Sequence, residues 1–203
     1  MKHLFAAGAL ALATLIAPAQ AQEAPANDAQ ITEMTLGAEE AKVTVIEYAS
    51  FTCPHCASFH KGPFQSLKAD YIDTGKVRFV YRDVYFDRFG LWGAMVARCD
   101  GGRDKFFGIS DMLYEKQREW TQGEPAAIAD NLRRIGKLAG IEPDAVEACL
   151  NDRDKMQALV SWYQANAEAD EINSTPSFII NGRKYSNMAY DDFKAILDEK
   201  LAE

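Results

Sequence analysis

Residues 42–50 read Lys-Val-Thr-Val-Ile-Glu-Tyr-Ala-Ser, a density of β-branched and apolar side chains that predicts a buried strand. After Cys56 the period changes. Apolar residues recur at Phe59, Phe64, Leu67 and Tyr71, one face of a helix, with Pro63 as a kink and Thr74-Gly75 as the stop. Residues 77–81 return to the strand pattern, and strand, helix, strand at this spacing makes a βαβ unit.

The next stretch carries little strand signal. Trp92, Met95, Val96 and Cys99 share a helical face that Gly101-Gly102 breaks. A second helix is expected over 103–119, with Phe106, Phe107, Leu113 and Tyr114. Pro125 opens a third, with Ile128, Leu132 and Ile135 in step and Gly140 at its close. Pro143 opens a short fourth ending at Leu150, and a fifth runs over 153–171. Strand signal resumes at Ser177-Phe178-Ile179-Ile180. Asn181-Gly182 then signals a tight hairpin, 183–185 form its return strand, and 191–201 form a last helix with Phe193, Ile196, Leu197 and Leu201 inward. Residues 22–40 are polar, alanine-rich and without clear period, and read as a mobile lead-in.

The first residues change the picture. Met1-Lys2-His3, an apolar run from Leu4 to about Pro18 and the small-x-small triplet Ala19-Gln20-Ala21 have the layout of a secretory signal peptide cleaved after Ala21. The run is too short and too poorly flanked for a membrane span; a retained N-terminal anchor is the competing reading. Cleavage would leave 182 of the 203 residues, with 30 acidic side chains against 21 basic ones once Lys2 is gone. That balance argues against nucleic acid as a partner, since phosphate binding needs clustered basic groups. Export from the cytoplasm is expected.

Export also gives the four cysteines an oxidising compartment. Cys53-Pro54-His55-Cys56 stands between the first strand and its helix. The first N–H groups of a helix lack internal partners, and the helix dipole adds partial positive charge there. A Cys53 thiolate is favoured, with a pKa expected well below about 8.5. Pro54 suits the first helical position. The His55 imidazole is expected to donate to the Cys53 sulfur, and Cys56, one turn in and facing the core, should be more buried and less ionised. Cys53 is then the attacking sulfur and Cys56 the resolving one. Half a zinc site would need two more ligands, usually a second close pair, and no metal is expected. A purely structural bridge gains little from closing so small a loop. Cys99 and Cys149 pair most simply with each other across a 50-residue span, about 4 kcal/mol by chain entropy; two free buried thiols are the other reading.

The order βαβ, helical block, ββα is that of a thioredoxin fold with an inserted helical domain, an α/β class. The domain is expected over 41–86 and 172–203, with the insert over 87–171. Together with Phe51-Thr52-Cys53-Pro54-His55-Cys56, it resembles the DsbA-type disulfide oxidoreductases of the bacterial periplasm, from about Lys42 to the C-terminus. The resemblance implies an enzyme that oxidises newly exported proteins with free thiols and is reoxidised by a membrane quinone reductase of the DsbB type, without metal or organic cofactor. It implies that Pro176 is cis and faces the sulfurs, leaving the Thr175 backbone to pair with a substrate peptide. It also implies that Glu47 is a buried acid moving protons to or from Cys56. The Cys99–Cys149 pairing is similar to a second disulfide in some alphaproteobacterial members.

Two departures stand out. Many oxidases of the family carry Val where this chain has Thr175, a residue that resembles the isomerases. Some relatives pair the buried acid with a Lys on the next strand; here that position is Tyr81, and Arg82 points to the other face. A reductase or isomerase on the same fold is the second reading. The lead-in is too short and too weakly periodic for an oligomerisation segment, so a monomer is expected. A Cu(I)-binding protein using its soft thiolates is a third reading, without a Met-rich or His-rich tract to support it.

Overall fold

The computed structural model describes residues 31–99 and 102–203. The proposed signal peptide and the first part of the lead-in lie outside the described residues. Five strands form one sheet: β1 (Met34–Leu36), β2 (Val43–Ala49), β3 (Val77–Asp83), β4 (Ser177–Ile180) and β5 (Arg183–Ser186). Their spatial order is β1-β3-β2-β4-β5. β2 and β3 are parallel, as the helical crossover between them requires. The other three neighbouring pairs are antiparallel.

Helix α1 (Pro54–Lys61) follows β2 directly, and the Gly62-Pro63 break starts α2 (Pro63–Leu67), which winds into a π-helical turn over Lys68–Ile72. Between β3 and β4 lie α3 (Arg88–Ala97), α4 (Arg103–Glu115), α5 (Gln117–Trp120), α6 (Pro125–Leu138), α7 (Pro143–Asn151) and α8 (Arg153–Ala169). α9 (Tyr190–Ala202) closes the chain. Asn181 and Gly182 both take positive φ, 44° and 81°, as the tight β4–β5 turn demands.

Two sequence expectations need correction. The lead-in is not structureless throughout, because residues 34–36 add an antiparallel edge strand to β3; three residues are too few to show a period. The helix expected over 103–119 is two helices separated at Lys116. The helix that carries the cysteines begins at Pro54, where the sequence places its first helical position.

Central strand β2 is buried along nearly its whole length, which is why its sequence does not alternate cleanly. One large apolar core joins the sheet to the helical block, and a smaller cluster of Tyr48, Val84 and Ile179 stands apart from it. The large core runs from Val43, Val45 and Phe79 through Phe51, Phe106 and Tyr114 to Ile128, Leu132 and Val146. Phe51 packs at 5.6 Å on Tyr81 from the sheet and at 5.1 Å on Tyr114 from α4. The loop that carries Cys53 is thus clamped between both layers, with large rings contributing roughly 1.5–3 kcal/mol each.

Candidate active site

Cys53 occupies the N-cap of α1 with extended backbone, φ −79° and ψ 118°. Pro54 takes the first helical position, where its missing N–H removes no helix bond. The Cys56 N–H donates to the Cys53 sulfur at 3.4 Å, so the sulfur fills the place of a capping oxygen. Cys53 is 8% exposed and Cys56 fully buried, and both are free thiols.

The two sulfurs are driven apart electrostatically. Cys53 falls from 9.0 to about 5. The largest cause is the Cys56 thiol, which donates to it; burial opposes the fall, and Thr175 with the Cys56 and His55 backbone N–H groups adds to it. Cys56 moves far up, first because it is buried, then because it donates to Cys53, and then because Glu47 is near. The expected role of the His55 imidazole needs correction. That residue is exposed, and its backbone N–H, not its ring, reaches the sulfur. Within the first turn of α1 the His55 side chain faces solvent, whereas that of Cys56, one position on, faces the core.

Thr175-Pro176 is a cis peptide bond, placed immediately before β4. β4 pairs with β2, which brings this bond against the first turn of α1. The Cys53 thiol donates to the Thr175 carbonyl at 3.5 Å. The buried Thr175 hydroxyl has no other partner among the described residues, which leaves it free to serve a Cys53 thiolate.

The helical block holds the loop in place. The Thr52 hydroxyl donates to Asp87 Oδ2 at 2.8 Å, while Asp87 Oδ1 caps α3 by accepting from Phe89 and Gly90 N–H at 2.8 and 2.9 Å. A Cβ at Gly90 would stand 3.1 Å from Ser50 Oγ and 3.3 Å from Thr52 Oγ1, so a larger residue there would press on the hydroxyls of this loop. Gln117, buried at the start of α5, donates its amide to the Phe51 and Cys53 carbonyls at 2.8 and 2.9 Å. Sequence reasoning missed Gln117, because these contacts join residues 64 and 66 positions apart.

Behind Cys56 lies a polar cluster in the core. Glu47 on β2 is fully buried, and its Oε2 lies 2.8 Å from His60 Nε2 on α1. Tyr81 is the register partner of Glu47 on β3, and its hydroxyl pairs with that of Tyr114 at 2.6 Å. The Tyr114 ring stacks on His60, centroids 4.2 Å apart. The acid therefore does have a basic neighbour, on the helix and not on the next strand. The signal was present: His60 sits four residues after Cys56, on the same helical face. Arg82 lies on the opposite face of the sheet, bonded to Glu33, Tyr48 and Asp170.

Cys99, just past α3, and Cys149 in α7 form a disulfide with Cα atoms 5.5 Å apart. Its neighbour Arg98 makes a buried ion pair with Asp83, Nε to Oδ2 at 2.8 Å. Among the described residues no three His, Cys, Asp or Glu side chains are grouped to hold a metal ion, and no helix is long and apolar enough to cross a membrane.

The family model described as thioredoxin matches residues 29–199. A Rickettsia typhi protein named as a protein-disulfide oxidoreductase is 33% identical over 171 residues, covering 84% of this chain and 63% of that protein. The chain thus spans a little under two thirds of the length of that relative. Disulfide bond formation protein D of Bacillus subtilis is 28% identical over 174 residues, 82% of this chain and 76% of that one. The crystal structure of Wolbachia pipientis alpha-DsbA1 superposes with a TM-score of 0.77 at 28% identity, covering 84% of this chain and 91% of that chain.

Proposed function

Because this chain belongs to the thioredoxin family, among the DsbA-type disulfide oxidoreductases, we propose that it oxidises thiols of folding exported proteins with its Cys53–Cys56 disulfide. One observation carries the reading: the two sulfurs of one helical turn are held at opposite ends of the thiol range, Cys53 at about 5 and Cys56 far above 9.0. A substrate thiolate attacks the Cys53 sulfur. The Cys53–Cys56 bond breaks, its electron pair goes to the Cys56 sulfur, and that sulfur takes up a proton, supplied through Glu47. A second substrate thiolate then attacks the substrate sulfur of the mixed disulfide and releases the Cys53 thiolate. In the reverse direction Cys53 attacks and Cys56 resolves. Thr175 and Pro176 receive the substrate backbone.

The direction follows from which form is stabilised. Lowering the Cys53 pKa from 9.0 to about 5 favours the reduced form by roughly 3 kcal/mol at neutral pH, and by roughly 5 kcal/mol once the pH exceeds the free thiol value. The neutral-pH gain is on the order of 60 mV toward an oxidising potential. Relative to an unfolded chain, this gain is complete above about pH 9 and lost as pH falls through about 5. Electrons leave to a membrane quinone reductase of the DsbB type, and the protein works in the periplasm as a monomer after loss of residues 1–21.

The first test is the redox state of Cys53 in living cells, trapped with a mass-shifting alkylator. Mostly oxidised is the expected result. Mostly reduced would sink the oxidase reading in favour of a reductase or isomerase, the direction to which Thr175 points.

The pair also sets a pH dependence. Above about pH 5 reduction adds one proton, to Cys56, so the potential should fall by about 30 mV per pH unit. Below that pH both sulfurs are protonated, and the slope should steepen to about 60 mV. Equilibration with a reference dithiol from pH 4 to 8 reads the break; a single slope of about 60 mV across the range would show that Cys53 is not a thiolate at neutral pH.

A further inference from the structure

We propose that His60 is the outlet for the Cys56 proton, passing it between Glu47 and a solvent-filled cleft on the far side of α1 from the cysteine mouth. The inference rests on Glu47 as the proton partner of Cys56. It begins from a topological difficulty: Cys56 and Glu47 are both 0% exposed, so a proton that moves between them is still inside the protein. Each closing of the disulfide leaves a proton to be discharged, and each opening demands one.

His60 is the one imidazole beside that acid, with Nε2 2.8 Å from Glu47 Oε2. Its other nitrogen, Nδ1, is buried and has no protein partner among the described residues. His60 also lines a cleft of about 400 Å³ between α1 and α4, together with Lys61, Asp111, Met112, Tyr114 and Lys116. None of Cys53, Pro54, His55, Thr175 or Pro176 lines it. His60 thus touches the buried acid with one nitrogen and is also one of the residues that line the cleft. The imidazole accepts a proton at Nε2 and releases one from Nδ1, which transfers a proton without moving the side chain. Stacking on Tyr114 and an edge contact with Tyr81 hold the ring in place.

The groups around His60 fit an outlet. From β2 it faces Glu47, from β3 Tyr81, and from α4 Tyr114 and, at the cleft, Asp111; Cys56 precedes it by one turn on its own helix. The two tyrosine hydroxyls are bonded to each other, and burial holds both well above the ordinary phenol range, so they carry no charge and compete for no proton near neutrality. Asp111 couples electrostatically to His60 and, with Lys68 also near, supplies a carboxylate at the outer end. The cleft opens at the C-terminal end of α1, away from the cysteines at its N-terminus, so a substrate seated on Cys53 need not cover it.

The test measures resolution: the rate at which Cys56 displaces a small thiol from a preformed mixed disulfide on Cys53, between pH 5 and 9. His60→Ala should slow it by at least about tenfold while the Cys53 titration stays at the parental value. Added imidazole, which fits the space left beside the cleft, should restore the rate. His60→Gln, which keeps a hydrogen bond to Glu47 but carries no proton, serves if the alanine variant does not fold, and should be equally slow with an unchanged Cys53 titration. Parental resolution in either variant overturns the proposal. So does slow resolution that imidazole fails to restore in His60→Ala, or a shifted Cys53 titration, both of which mark a structural role. Glu47→Gln separates the two layers of the argument. Slow Glu47→Gln with parental His60 variants removes only the outlet, whereas parental Glu47→Gln removes the role of the acid itself.

Discussion

Cys56→Ser converts the protein from a catalyst into a covalent trap. Cys53 remains capped by the first turn of α1 and still attacks or accepts disulfides, but the resolving sulfur is gone. Intramolecular groups held in line act at effective concentrations of roughly 10⁵ M or more, so losing one should cut dithiol oxidation by at least about 10³-fold. Mixed disulfides on Cys53 should accumulate as mass-shifted adducts in non-reducing gels of the exported fraction. A companion variant tests the electrostatics. The Cys56 thiol is the largest cause of the low Cys53 pKa. Cys56→Ala, which removes the donor, should therefore raise the Cys53 midpoint above about 5, while the hydroxyl in Cys56→Ser holds it nearer the parent. An alanine variant that still titrates at the parental value would place the stabilisation in the helix end alone.

The second large effect is on stability. Cys99 and Cys149 close a 50-residue span that includes α4, α5 and α6. Replacing both by Ser should cost about 4 kcal/mol by the chain-entropy relation. For a chain of this size that lowers the melting temperature by about 8–16 °C. Calorimetry of the two forms decides it, and a fall under about 2 °C would mean that the unfolded chain gains little freedom from losing the bridge. The same variant tests whether the bridge tunes the site at a distance. Arg98, beside Cys99, is paired with Asp83, and Asp83 is the register partner of Ala49 at the end of the strand leading to Cys53. An unchanged redox potential would show that this chain of contacts carries stability and not electronics.

Much of the fold was legible because its elements are periodic and its breaks are marked. The Asn181-Gly182 turn and the proline helix starts at 125 and 143 fall where the sequence puts them. β1 was not legible, since an edge strand of three residues has no period to detect. In the site, local features could be read: a cysteine between strand and helix, an acid inside a β-branched run, a proline before a buried strand. What could not be read were partners brought in by packing. Gln117 reaches the Cys53 loop from α5, and Tyr114 reaches His60 from α4, because the helical block folds over the sheet. His55 was overvalued for its nearness in sequence, while His60 is nearer to the buried chemistry.

The strand order carries a consequence for how this chain assembles. β2 is flanked by β3, its neighbour in sequence, and by β4, whose Ile180 pairs with Val45 from 135 positions away. Until β4 arrives, the central strand of the sheet has one edge open, a template for joining other chains. Closing that edge means closing a very long loop, a slow step in any topology. The helical block is contiguous, and can consolidate earlier from contacts nearer in sequence. The N-cap of α1 is local and can form early; the Thr175 contact cannot exist before β4 docks. The reactive sulfur is therefore completed last, after the surfaces on which it would act within its own nascent chain have been packed away.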